Sequence, residues 1–459
     1  MAHDDGADDL LADLRDGLGP GAVVTDPDVV DGHRRDHTGL LSAGRPVCAV
    51  LPATTAEVQH VIRTAVLHDV PVVTRGAGSG LAGAANALDG AVTLLTTRMD
   101  RILDVDTDDL LARVQPGVLN GDLSRAVAER GLWYPPDPAS ADFSTIGGNV
   151  ATNAGGLCCV KYGVTRDYVL GLEVVLADGR AVRLGRRTVK GVAGYDLVGL
   201  FVGSEGTLGV VTEVTVRLRP APEPGGTLVA TFGSLAAAGD AVAAITRTTT
   251  PSLLEILDRA TLRAVERHRP MGLETDQAAL LLVRCDGDAA TTDGDLDRVR
   301  AACEAAGATY AAATTDPDEA EALLTARRLA LPALEALGQV LLDDVVVPRS
   351  RLTELIGRVE RIAEDHAVTI GTFGHAGDGN LHPTLVVAPE SEPRVRAAFD
   401  AIVTAALDLG GTVTGEHGVG RLKRDHLRDE VGDDVLELQQ RIRSALDPDG
   451  RLNPGALWP

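Results

Sequence analysis

A proline-rich segment near the middle of the chain limits what this sequence can fold into. Residues 220–226 read Pro-Ala-Pro-Glu-Pro-Gly-Gly and separate two stretches in which strand-like and helix-like patterns alternate. Proline and glycine at this density interrupt helices and sheets, so they mark a connection between domains. The chain has 459 residues, which is more than one ordinary domain needs. We therefore expect two α+β lobes on either side of this linker.

Periodicity predicts the main elements of both lobes. Apolar, β-branched runs predict strands over residues 70–74, 91–95 and 210–216. Apolar residues at spacings of three and four predict helices over residues 54–68, 235–247 and 318–331. Thr54 and Thr55 are candidate caps for the first of these helices. The turn-rich tail, residues 447–455, is too short to be a domain and is expected to dock on a larger one.

Composition excludes several classes of function. The net charge of −23 argues against binding to nucleic acid or to anionic membrane surfaces. No apolar stretch is long enough to cross a bilayer, and the N-terminus is acidic from His3 to Asp9, which predicts a cytoplasmic protein. The five cysteines form no C-x-x-C pair, which disfavours an iron–sulfur cluster and structural zinc.

Three glycine-rich loops stand out in the first lobe. They are Arg75-Gly76-Ala77-Gly78-Ser79-Gly80, the stretch from Pro135 to Gly156, and Gly203-Ser204-Glu205-Gly206-Thr207-Leu208-Gly209. Glycine lets a backbone approach a phosphate closely and direct N–H groups at it. One such loop is weak evidence, but three in one lobe predict a large, elongated ligand that contains phosphate.

Two histidine motifs stand in the second half of the chain. The first runs from Gly374 to His382, and the second is Gly415-Glu416-His417-Gly418. If Asp378-Gly379 forms a two-residue type I′ hairpin turn, His375 and His382 stand directly opposite each other, with Cβ atoms about 5 Å apart. Such a pair can share a divalent metal with Glu416, and a further histidine beside it can move protons. This pattern alone leaves both hydrolysis and redox chemistry open.

The order of these motifs, with Gly194-Tyr195-Asp196-Leu197 before the third loop, resembles the FAD domain of the vanillyl-alcohol oxidase/p-cresol methylhydroxylase flavoproteins. The two histidine motifs narrow the resemblance to the FAD-linked D-2-hydroxyacid dehydrogenases, the group of D-lactate dehydrogenase, glycolate oxidase and D-2-hydroxyglutarate dehydrogenase. The resemblance covers roughly residues 40–459.

The resemblance implies an α+β fold with a two-lobed FAD-binding domain of the p-cresol methylhydroxylase type, an α+β cap or substrate domain, and a C-terminal tail that returns to the FAD domain. The expected segments are a leader over 1–40, the FAD-binding domain over 41–220, the substrate domain with the metal site over 221–410, and the C-terminal segment over 411–459.

The resemblance also implies which residues contact FAD. They are Arg75, Gly76, Ala77, Gly78, Ser79, Gly80, Pro136, Asp137, Thr145, Gly147, Gly148, Asn149, Asn153, Ala154, Gly155, Gly156, Glu205, Gly206, Gly209, Val211 and Asn453. We expect non-covalent FAD, because no histidine or cysteine of these loops clearly fits a covalent link; Cys158 and Cys159 lie beside them in sequence.

For the reaction, the resemblance implies a metal held by His375, His382 and Glu416, with zinc as the first expectation and manganese or iron as alternatives. His417 is the expected proton acceptor and Arg327 the expected ligand of the substrate carboxylate. The hydrogen on the substrate carbon leaves as hydride to flavin N5, which gives a 2-oxo acid. Asp378 either orients a ligand histidine or serves only the turn.

One departure bears on the substrate. Thr384 stands where the D-2-hydroxyglutarate type has asparagine, which favours D-lactate, glycolate or a similar small anionic acid. The sequence does not choose between a quinone, an electron-transfer flavoprotein, a cytochrome and oxygen as the electron acceptor. It also leaves open whether the protein forms a homodimer or binds a partner subunit, and whether it attaches peripherally to the inner face of a membrane. The alternatives are an FAD-binding subunit of a glycolate-oxidase-type complex and a zinc metallohydrolase.

Overall fold

The computed structural model describes residues 5–223, 225–388 and 390–458, which form two compact units. The first unit comprises the described parts of Met1–Ala154, Val164–Ala221 and Glu416–Pro459. The second comprises Gly155–Gly163 and the described part of Pro222–Gly415. His3 of the acidic N-terminal stretch and Pro224 of the predicted linker lie outside the described residues.

The elements follow one another in chain order. The strands are β1 (Val23–Val24), β2 (Cys48–Val50), β3 (Val72–Arg75), β4 (Val92–Leu95), β5 (Ile102–Asp106), β6 (Leu111–Val114), β7 (Leu132–Trp133), β8 (Val169–Val175), β9 (Ala181–Gly185), β10 (Val210–Arg217), β11 (Arg219–Pro220), β12 (Gly226–Phe232), β13 (Leu253–Asp258), β14 (Ala279–Cys285), β15 (Ala308–Thr314), β16 (Gln339–Leu342), β17 (Val345–Val346), β18 (Ile370–Gly374) and β19 (Asn380–Val387). The helices are α1 (Asp5–Asp16), α2 (Pro27–Asp31), α3 (Thr55–Leu67), α4 (Asn120–Ala128), α5 (Ile146–Thr152), α6 (Cys159–Tyr162), α7 (Leu197–Phe201), α8 (Leu235–Thr248), α9 (Arg259–His268), α10 (Ala289–Ala305), α11 (Pro317–Arg328), α12 (Ala330–Glu335), α13 (Leu352–Asp365), α14 (Glu392–Asp408) and α15 (Arg424–Leu446).

The first unit contains two main sheets. The smaller has the order β1-β2-β4-β3, in which β2 and β3 both run parallel to β4. The larger is antiparallel, with the order β5-β6-β10-β8-β9. Apolar side chains of the two sheets are buried in two clusters, and the cluster of the smaller sheet also includes Val175 and Val210 of the larger sheet.

Helix α3 shows why the sequence pattern before the first glycine loop is informative. Oγ1 of its N-cap residue Thr54 accepts a hydrogen bond of 3.2 Å from N of Glu57. Val58, Val61 and Ile62 form the buried face of the helix, in a core cluster that includes strands of both sheets. The predicted cap and apolar stripe are both confirmed, because local capping and burial agree at this position.

Both ends of the chain contribute to the first unit. Leu10 and Leu14 of α1 are buried in the core cluster of the smaller sheet. Near the C-terminus, Leu452 forms a parallel bridge with Val72 of β3, and N of Asn453 donates to O of Val72 at 2.8 Å. The turn-rich tail is therefore an added edge contact of the sheet that carries the first glycine loop.

The second unit is built on an eight-stranded antiparallel sheet. Seven strands follow the order β15-β12-β14-β13-β18-β19-β16, and β17 pairs separately with β19. Helix α12 packs against α9, and α13 packs against α8. All six residues of β13 are buried, so a polar side chain there needs a partner inside the protein.

The predicted strands and helices are confirmed to within a few residues at their ends, except that the helix predicted over 318–331 is two consecutive helices, α11 and α12. No helix in the described parts of the chain is both long enough and apolar enough to cross a bilayer.

Candidate functional site

Two of the predicted ligand loops lie against each other in the first unit. Gly76 follows β3, and a Cβ atom on it would lie 2.3 Å from Oγ1 of Thr145. Thr145 caps helix α5, where its Oγ1 accepts a hydrogen bond of 3.2 Å from N of Gly148. Glycine is required at position 76 because a larger residue would displace this cap. The first loop and the start of α5 therefore form one surface.

The third loop joins the same surface through its backbone. N of Gly203 donates to O of Val150 at 2.9 Å, and N of Glu205 donates to O of Ala151 at 2.8 Å. Glu205 has a φ of 50°, in the left-handed region that non-glycine residues seldom occupy. The two backbone contacts at the end of α5 hold it there.

The Glu205 side chain ties this loop to the segment that follows the second histidine motif. Its Oε1 accepts from N of Val419 at 2.7 Å, and its Oε2 accepts from N of Gly420 at 2.8 Å. Burial raises the pKa of Glu205 to about 7; the two backbone hydrogen bonds oppose this rise, and the charge of Asp36 adds to it. Both partners are neutral, so no positive charge offsets the cost of ionising this carboxyl.

Asn453 brings the C-terminal tail to the same loops. Its Nδ2 donates to O of Glu205 at 2.7 Å and to O of Ala84 at 3.0 Å. Its Oδ1 is buried and has no hydrogen-bond partner within the described residues. The tail therefore holds the backbone of the third glycine loop and of Ala84, which follows the first loop.

Buried donors without a partner point to the ligand of this surface. Within the part of the chain that the structure describes, these are Nε and Nη1 of Arg75, Nδ2 of Asn149, and Nε and Nη2 of Arg421. Burial lowers the pKa of both arginines, and the charge of Asp36 opposes that effect. A buried guanidinium with unpaired N–H groups is costly, and an anionic ligand would remove that cost. The donor set fits a ligand that carries phosphate.

The first loop also depends on a glycine with positive φ. Gly78 has a φ of 80°, and a Cβ atom there would lie 1.8 Å from Nη2 of Arg75. The absence of a side chain lets the Arg75 guanidinium lie across its own loop. Ala77, Ser79 and Gly80 complete this loop.

Several other predicted flavin contacts have a packing role in the first unit. A Cβ atom on Gly147 would lie 2.5 Å from Cβ of Pro116, and one on Gly209 would lie 2.5 Å from Cγ1 of Val174. Oδ1 of Asn153 accepts from N of Arg166 at 2.8 Å. These three residues therefore have a structural reason for their identity apart from any ligand.

The rest of the predicted set is divided between the units. Gly155 and Gly156 belong to the second unit. The first unit contains Pro136, Asp137, Ala154, Gly206 and Val211, and O of Pro136 accepts from Nδ2 of Asn120 at 3.0 Å.

In the second unit, the hairpin between the histidines differs from the predicted one. A type I′ turn needs positive φ at both Asp378 and Gly379, but only Gly379 has it, because Asp378 ends a 3₁₀ turn. The register pairs His382 with Phe373. The prediction that His382 stands directly opposite His375 is therefore wrong, since the chain leaves the ladder before His375.

The two histidine rings nevertheless meet diagonally across the end of the ladder. The ring centroids of His375 and His382 lie 5.1 Å apart at an interplanar angle of 86°, and both side chains are buried. Each offers a ring nitrogen, and these atoms lie within 4.8 Å of each other. Two imidazoles at this separation can bind one ion.

His375 is held by a buried carboxylate that it shares with Arg327. Oε1 of Glu255 lies 2.7 Å from Nδ1 of His375, and Nε of Arg327 donates to Oε2 of Glu255 at 2.6 Å. The exposed fractions of Glu255, Arg327 and His375 are 0%, 5% and 6%. Burial acts to raise the pKa of Glu255, but its electrostatic interactions and hydrogen bonds with His375 and Arg327 outweigh that effect, so the pKa lies below its ordinary value. The carboxylate accepts from Nδ1, which leaves the lone pair of the ring on Nε2.

Asp344 occupies a comparable place beside His382. Its Oδ1 lies 3.7 Å from Nδ1 of His382 and accepts from Nδ2 of Asn380 at 2.8 Å. Its Oδ2 accepts from Oγ1 of Thr414 at 2.7 Å and from N of Gly415 at 2.9 Å. This buried carboxylate therefore fixes the end of the segment that leads to the second histidine motif.

The second motif begins where the chain leaves the second unit. Gly415 is the last residue of that unit, and Glu416 is the first residue of the returning segment of the first unit. Asp344 holds the backbone of Gly415, and Glu416 is the next residue. Consecutive Cα atoms lie about 3.8 Å apart, so Glu416 begins close to the position that Asp344 fixes. Within its own unit, Nε2 of His417 lies 3.7 Å from Oε1 of Glu416. The role of Glu416 as a metal ligand stays a prediction, and its support here is that Glu416 directly follows Gly415 in the chain.

Comparison with known proteins decides the family. Residues 221–457 match the family described as FAD linked oxidases, C-terminal domain, and residues 46–185 match the FAD binding domain. The chain belongs to the FAD-linked oxidases.

Relatives of this FAD-linked oxidase are similar over most of its length. The glycolate oxidase subunit GlcD of Bacillus subtilis is 43% identical over 418 residues, which cover 90% of this chain and 89% of the relative. A D-lactate dehydrogenase of Anaerostipes hadrus is 33% identical over 457 residues, with coverage of 96% and 95%. The structure of p-cresol methylhydroxylase with substrate bound has a TM-score of 0.81 at 19% identity and covers 99% of this chain and 97% of that one. The predicted fold class and family resemblance are confirmed.

Family membership makes the chain a flavoprotein oxidoreductase with FAD as its cofactor, and it removes the metallohydrolase alternative. The matched FAD-binding region contains the first loop and helix α5. The unpaired donors of Arg75, Asn149 and Arg421 fit the phosphate and ring acceptors of FAD. The contacts of individual residues stay predictions.

Sequence reasoning missed two residues of this FAD-linked oxidase that the structure brings forward. Glu255 interrupts the apolar run of β13, and a carboxylate in the middle of a buried strand is itself a signal for a buried charge network. Arg421 follows the second histidine motif closely, and N of Arg421 donates to O of Ala82 at 2.9 Å, next to the first glycine loop. Nothing in the sequence shows that contact, because 339 positions separate the two residues, the difference between 421 and 82.

Proposed function

We propose that this FAD-linked oxidase oxidises a small D-2-hydroxy acid, such as D-lactate, or glycolate, to the 2-oxo acid with the help of a divalent metal. The main observation behind the proposal is the buried network of His375, Glu255 and Arg327. One carboxylate holds both an imidazole that can bind a metal and a guanidinium that can bind an anion. A 2-hydroxy acid has two matching groups, a hydroxyl and a carboxylate, on adjacent carbons. The names of the relatives, glycolate oxidase subunit and D-lactate dehydrogenase, support this substrate class.

The proposed metal ligands are His375, His382 and Glu416. The lone pair on Nε2 of His375 and the short distance between the two rings support this set. Two neutral imidazoles and a carboxylate suit zinc first, and manganese or iron as alternatives. Three protein ligands would leave coordination positions for the substrate.

Arg327 is the proposed ligand of the substrate carboxylate. Its hydrogen bond to Glu255 uses Nε, and its Cζ lies 4.7 Å from the ring centroid of Phe373. A carboxylate that approaches the two terminal nitrogen atoms can be bound by both. Such binding would fix the acid in one orientation and so favour one configuration at the carbon to be oxidised.

His417 is the proposed acceptor of the hydroxyl proton. When bound, FAD supplies a two-electron acceptor at N5, and a divalent metal supplies a Lewis acid for the hydroxyl oxygen. The substrate loses a proton from oxygen to His417 and the hydrogen on carbon with its electron pair, so the product is a 2-oxo acid. Glu416 in the preceding position supports this role, because it ties His417 to the proposed metal site through the chain.

The substrate is proposed to be small. Thr384 is fully buried, and its Oγ1 donates to O of His382 at 3.1 Å. The hydroxyl is therefore committed to the backbone and is not available to bind a second carboxylate. This supports D-lactate or glycolate over a five-carbon diacid.

We further propose non-covalent FAD and a separate electron acceptor. The three glycine loops, residues 75–80, 135–156 and 203–209, contain no histidine or cysteine that could form a covalent link, and Cys158 and Cys159 lie outside them in sequence. The relative from Bacillus subtilis is named as a subunit, which supports a partner chain that takes up the electrons. A quinone, an electron-transfer flavoprotein, a cytochrome and oxygen are the candidate final acceptors.

The test is anaerobic bleaching of the bound flavin by single acids. The purified protein is expected to be yellow and to release FAD on acid precipitation. D-Lactate or glycolate should bleach the flavin, whereas L-lactate should not, and D-2-hydroxyglutarate should act more slowly. If none of the D-2-hydroxy acids or glycolate bleaches a protein that contains one FAD per chain, the proposal fails.

The role of His417 has its own control. The His417→Ala variant should keep its FAD and lose bleaching, because no group then takes the proton. His426→Ala is the matched control, since His426 lies on α15 outside the proposed site and should keep the wild-type rate. Near-normal bleaching of His417→Ala would remove this residue as the base.

A further inference from the structure

We infer that Glu255 is the positioning residue that sets the metal ligand His375 and the carboxylate ligand Arg327 in one geometry. The inference deepens the proposed function and rests on it, because the roles of these two partners are proposed there. Its own evidence is that one buried carboxylate uses both oxygens, one for each partner. Hydroxyl and carboxylate lie on adjacent carbons of the substrate, so the groups that receive them need a fixed separation.

The sheet explains why position 255 reaches both partners. In the ladder between β13 and β18, Leu257 pairs with Phe373 and Ile256 pairs with Gly374. Glu255 precedes Ile256 in β13, and His375 is the first residue after β18, so the two residues lie next to each other just beyond the last pair of this ladder. Alternate residues of a strand share a face, so Glu255 lies on the same side of the sheet as Leu257 and its partner Phe373.

Glu255 acts differently on its two partners. It accepts a hydrogen bond from the N–H group at Nδ1 of His375, which selects the tautomer that has its lone pair on Nε2. On Arg327 it accepts from Nε while Phe373 covers the guanidinium from one side, with 4.7 Å between Cζ and the ring centroid. Phe373 also lies 5.5 Å, centroid to centroid, from His382. The guanidinium is thus restrained both in its plane and across its face.

The isosteric variant Glu255→Gln separates these two actions. Arg327 can only donate, so the amide oxygen of the variant must face it. The amide NH₂ then faces Nδ1 of His375, which must become the acceptor, and the ring proton moves to Nε2. The variant therefore keeps the orientation of Arg327 and loses the metal-binding lone pair of His375.

The experiment measures zinc affinity directly, by equilibrium competition with a chromophoric chelator on FAD-loaded, metal-depleted protein. Glu255→Gln should bind zinc about 10- to 100-fold more weakly than the wild type, the range expected when the partner of a ligand histidine is lost. Arg327→Gln is the control, because it keeps the contact between Glu255 and His375. Arg327→Gln should keep wild-type zinc affinity, while its KM for the 2-hydroxy acid substrate rises.

Wild-type zinc affinity in a folded Glu255→Gln variant overturns the inference. If Glu255→Gln does not fold, the double variant Glu255→Met/Arg327→Met removes the buried charges together and is compared with Arg327→Met. Only the double variant should lose zinc, and equal affinities of the two overturn the inference. A wild type that binds no divalent metal and is bleached by no hydroxy acid instead contradicts the proposed function itself.

Discussion

Each unit contains a buried glutamate that accepts two hydrogen bonds, and the two differ in their partners. Glu205 in the first unit accepts from the backbone N–H groups of Val419 and Gly420, and burial raises its pKa to about 7. Glu255 in the second unit accepts from Arg327 and His375; burial again acts to raise its pKa, but the interactions with these two partners bring the pKa below the ordinary value. Neutral backbone donors leave the cost of burying a carboxylate largely in place, whereas a cationic donor such as Arg327 offsets it.

The same contrast separates the two candidate sites. The flavin surface of the first unit is shaped by glycines and backbone groups, with few charged side chains such as Arg75. The histidine site of the second unit is shaped by side chains whose charges and tautomers depend on one another. Glycine substitutions in the loops of the first unit should therefore act through shape, and substitutions in the histidine site of the second unit should act through charge.

The largest expected effect is on the stability of the second unit. Glu255→Ala leaves Arg327 buried without a counter-charge, which should cost about 3–5 kcal/mol of unfolding free energy. Glu205→Ala is the matched control and should cost about 1–3 kcal/mol, because it leaves only neutral backbone donors unpaired. Denaturant unfolding of both variants measures the difference. Equal losses would contradict the contrast between charged and neutral partners.

The next effect is a pH dependence that belongs to Glu205. Its pKa of about 7 in the folded state exceeds its ordinary value of 4.5, so between these values the folded protein binds the proton more tightly than the unfolded chain does. Its contribution to stability is therefore greatest at low pH and is lost as the pH rises through 7. From pH 5 to pH 8 the wild type should lose up to about 3 kcal/mol more than Glu205→Gln does.

Unfolding free energies of the wild type and the glutamine variant at the two pH values test this prediction. In the variant, the NH₂ group of the amide faces one of the two backbone N–H groups, and this mismatch lowers the stability. The loss is the same at both pH values, so it cancels in the comparison. A wild type and a variant with parallel pH profiles would show that Glu205 does not bind a proton near neutral pH.

A smaller effect concerns the shape of the flavin surface. Gly78→Ala should weaken FAD binding by about 10- to 100-fold, or about 1.4–2.7 kcal/mol, because the new methyl group displaces the Arg75 guanidinium. Gly90→Ala is the control, since Gly90 has a φ of 72°, close to the 80° of Gly78, and no atom lies near its Cβ position. The two variants share the backbone strain, so only the displacement of Arg75 differs. Equal FAD affinities would contradict the role of Arg75.

Local rules predicted much of the fold. Helix α3 begins at the predicted cap, Thr54, because one hydrogen bond and one apolar stripe decide it. The glycine loops and both histidine motifs were also visible, since short segments carry them. The division of the helix predicted over 318–331 into α11 and α12 was missed, because Leu329 between them keeps near-helical dihedral angles and has no side chain that could cap the second helix.

The site was less predictable where distant contacts decide it. The predicted hairpin assumed the most common turn for Asp378-Gly379, whereas the chain forms a 3₁₀ turn and His375 leaves the ladder. Local propensity cannot reveal that difference, because the contacts of Glu255 with His375 and Arg327 span more than 70 positions. The predicted closeness of the two histidines nevertheless holds, through a different register.

Removal of the metal most directly tests the central proposal, which is that a divalent metal and FAD are both needed to oxidise one hydroxy acid. The protein is dialysed against a chelator until less than about one tenth of an equivalent of divalent metal remains, and flavin bleaching by D-lactate or glycolate is followed without oxygen. We expect an unchanged flavin spectrum before the acid is added, a bleaching rate at least about 100-fold lower, and recovery of the rate on addition of zinc or manganese. An unchanged rate in the metal-free protein would contradict it.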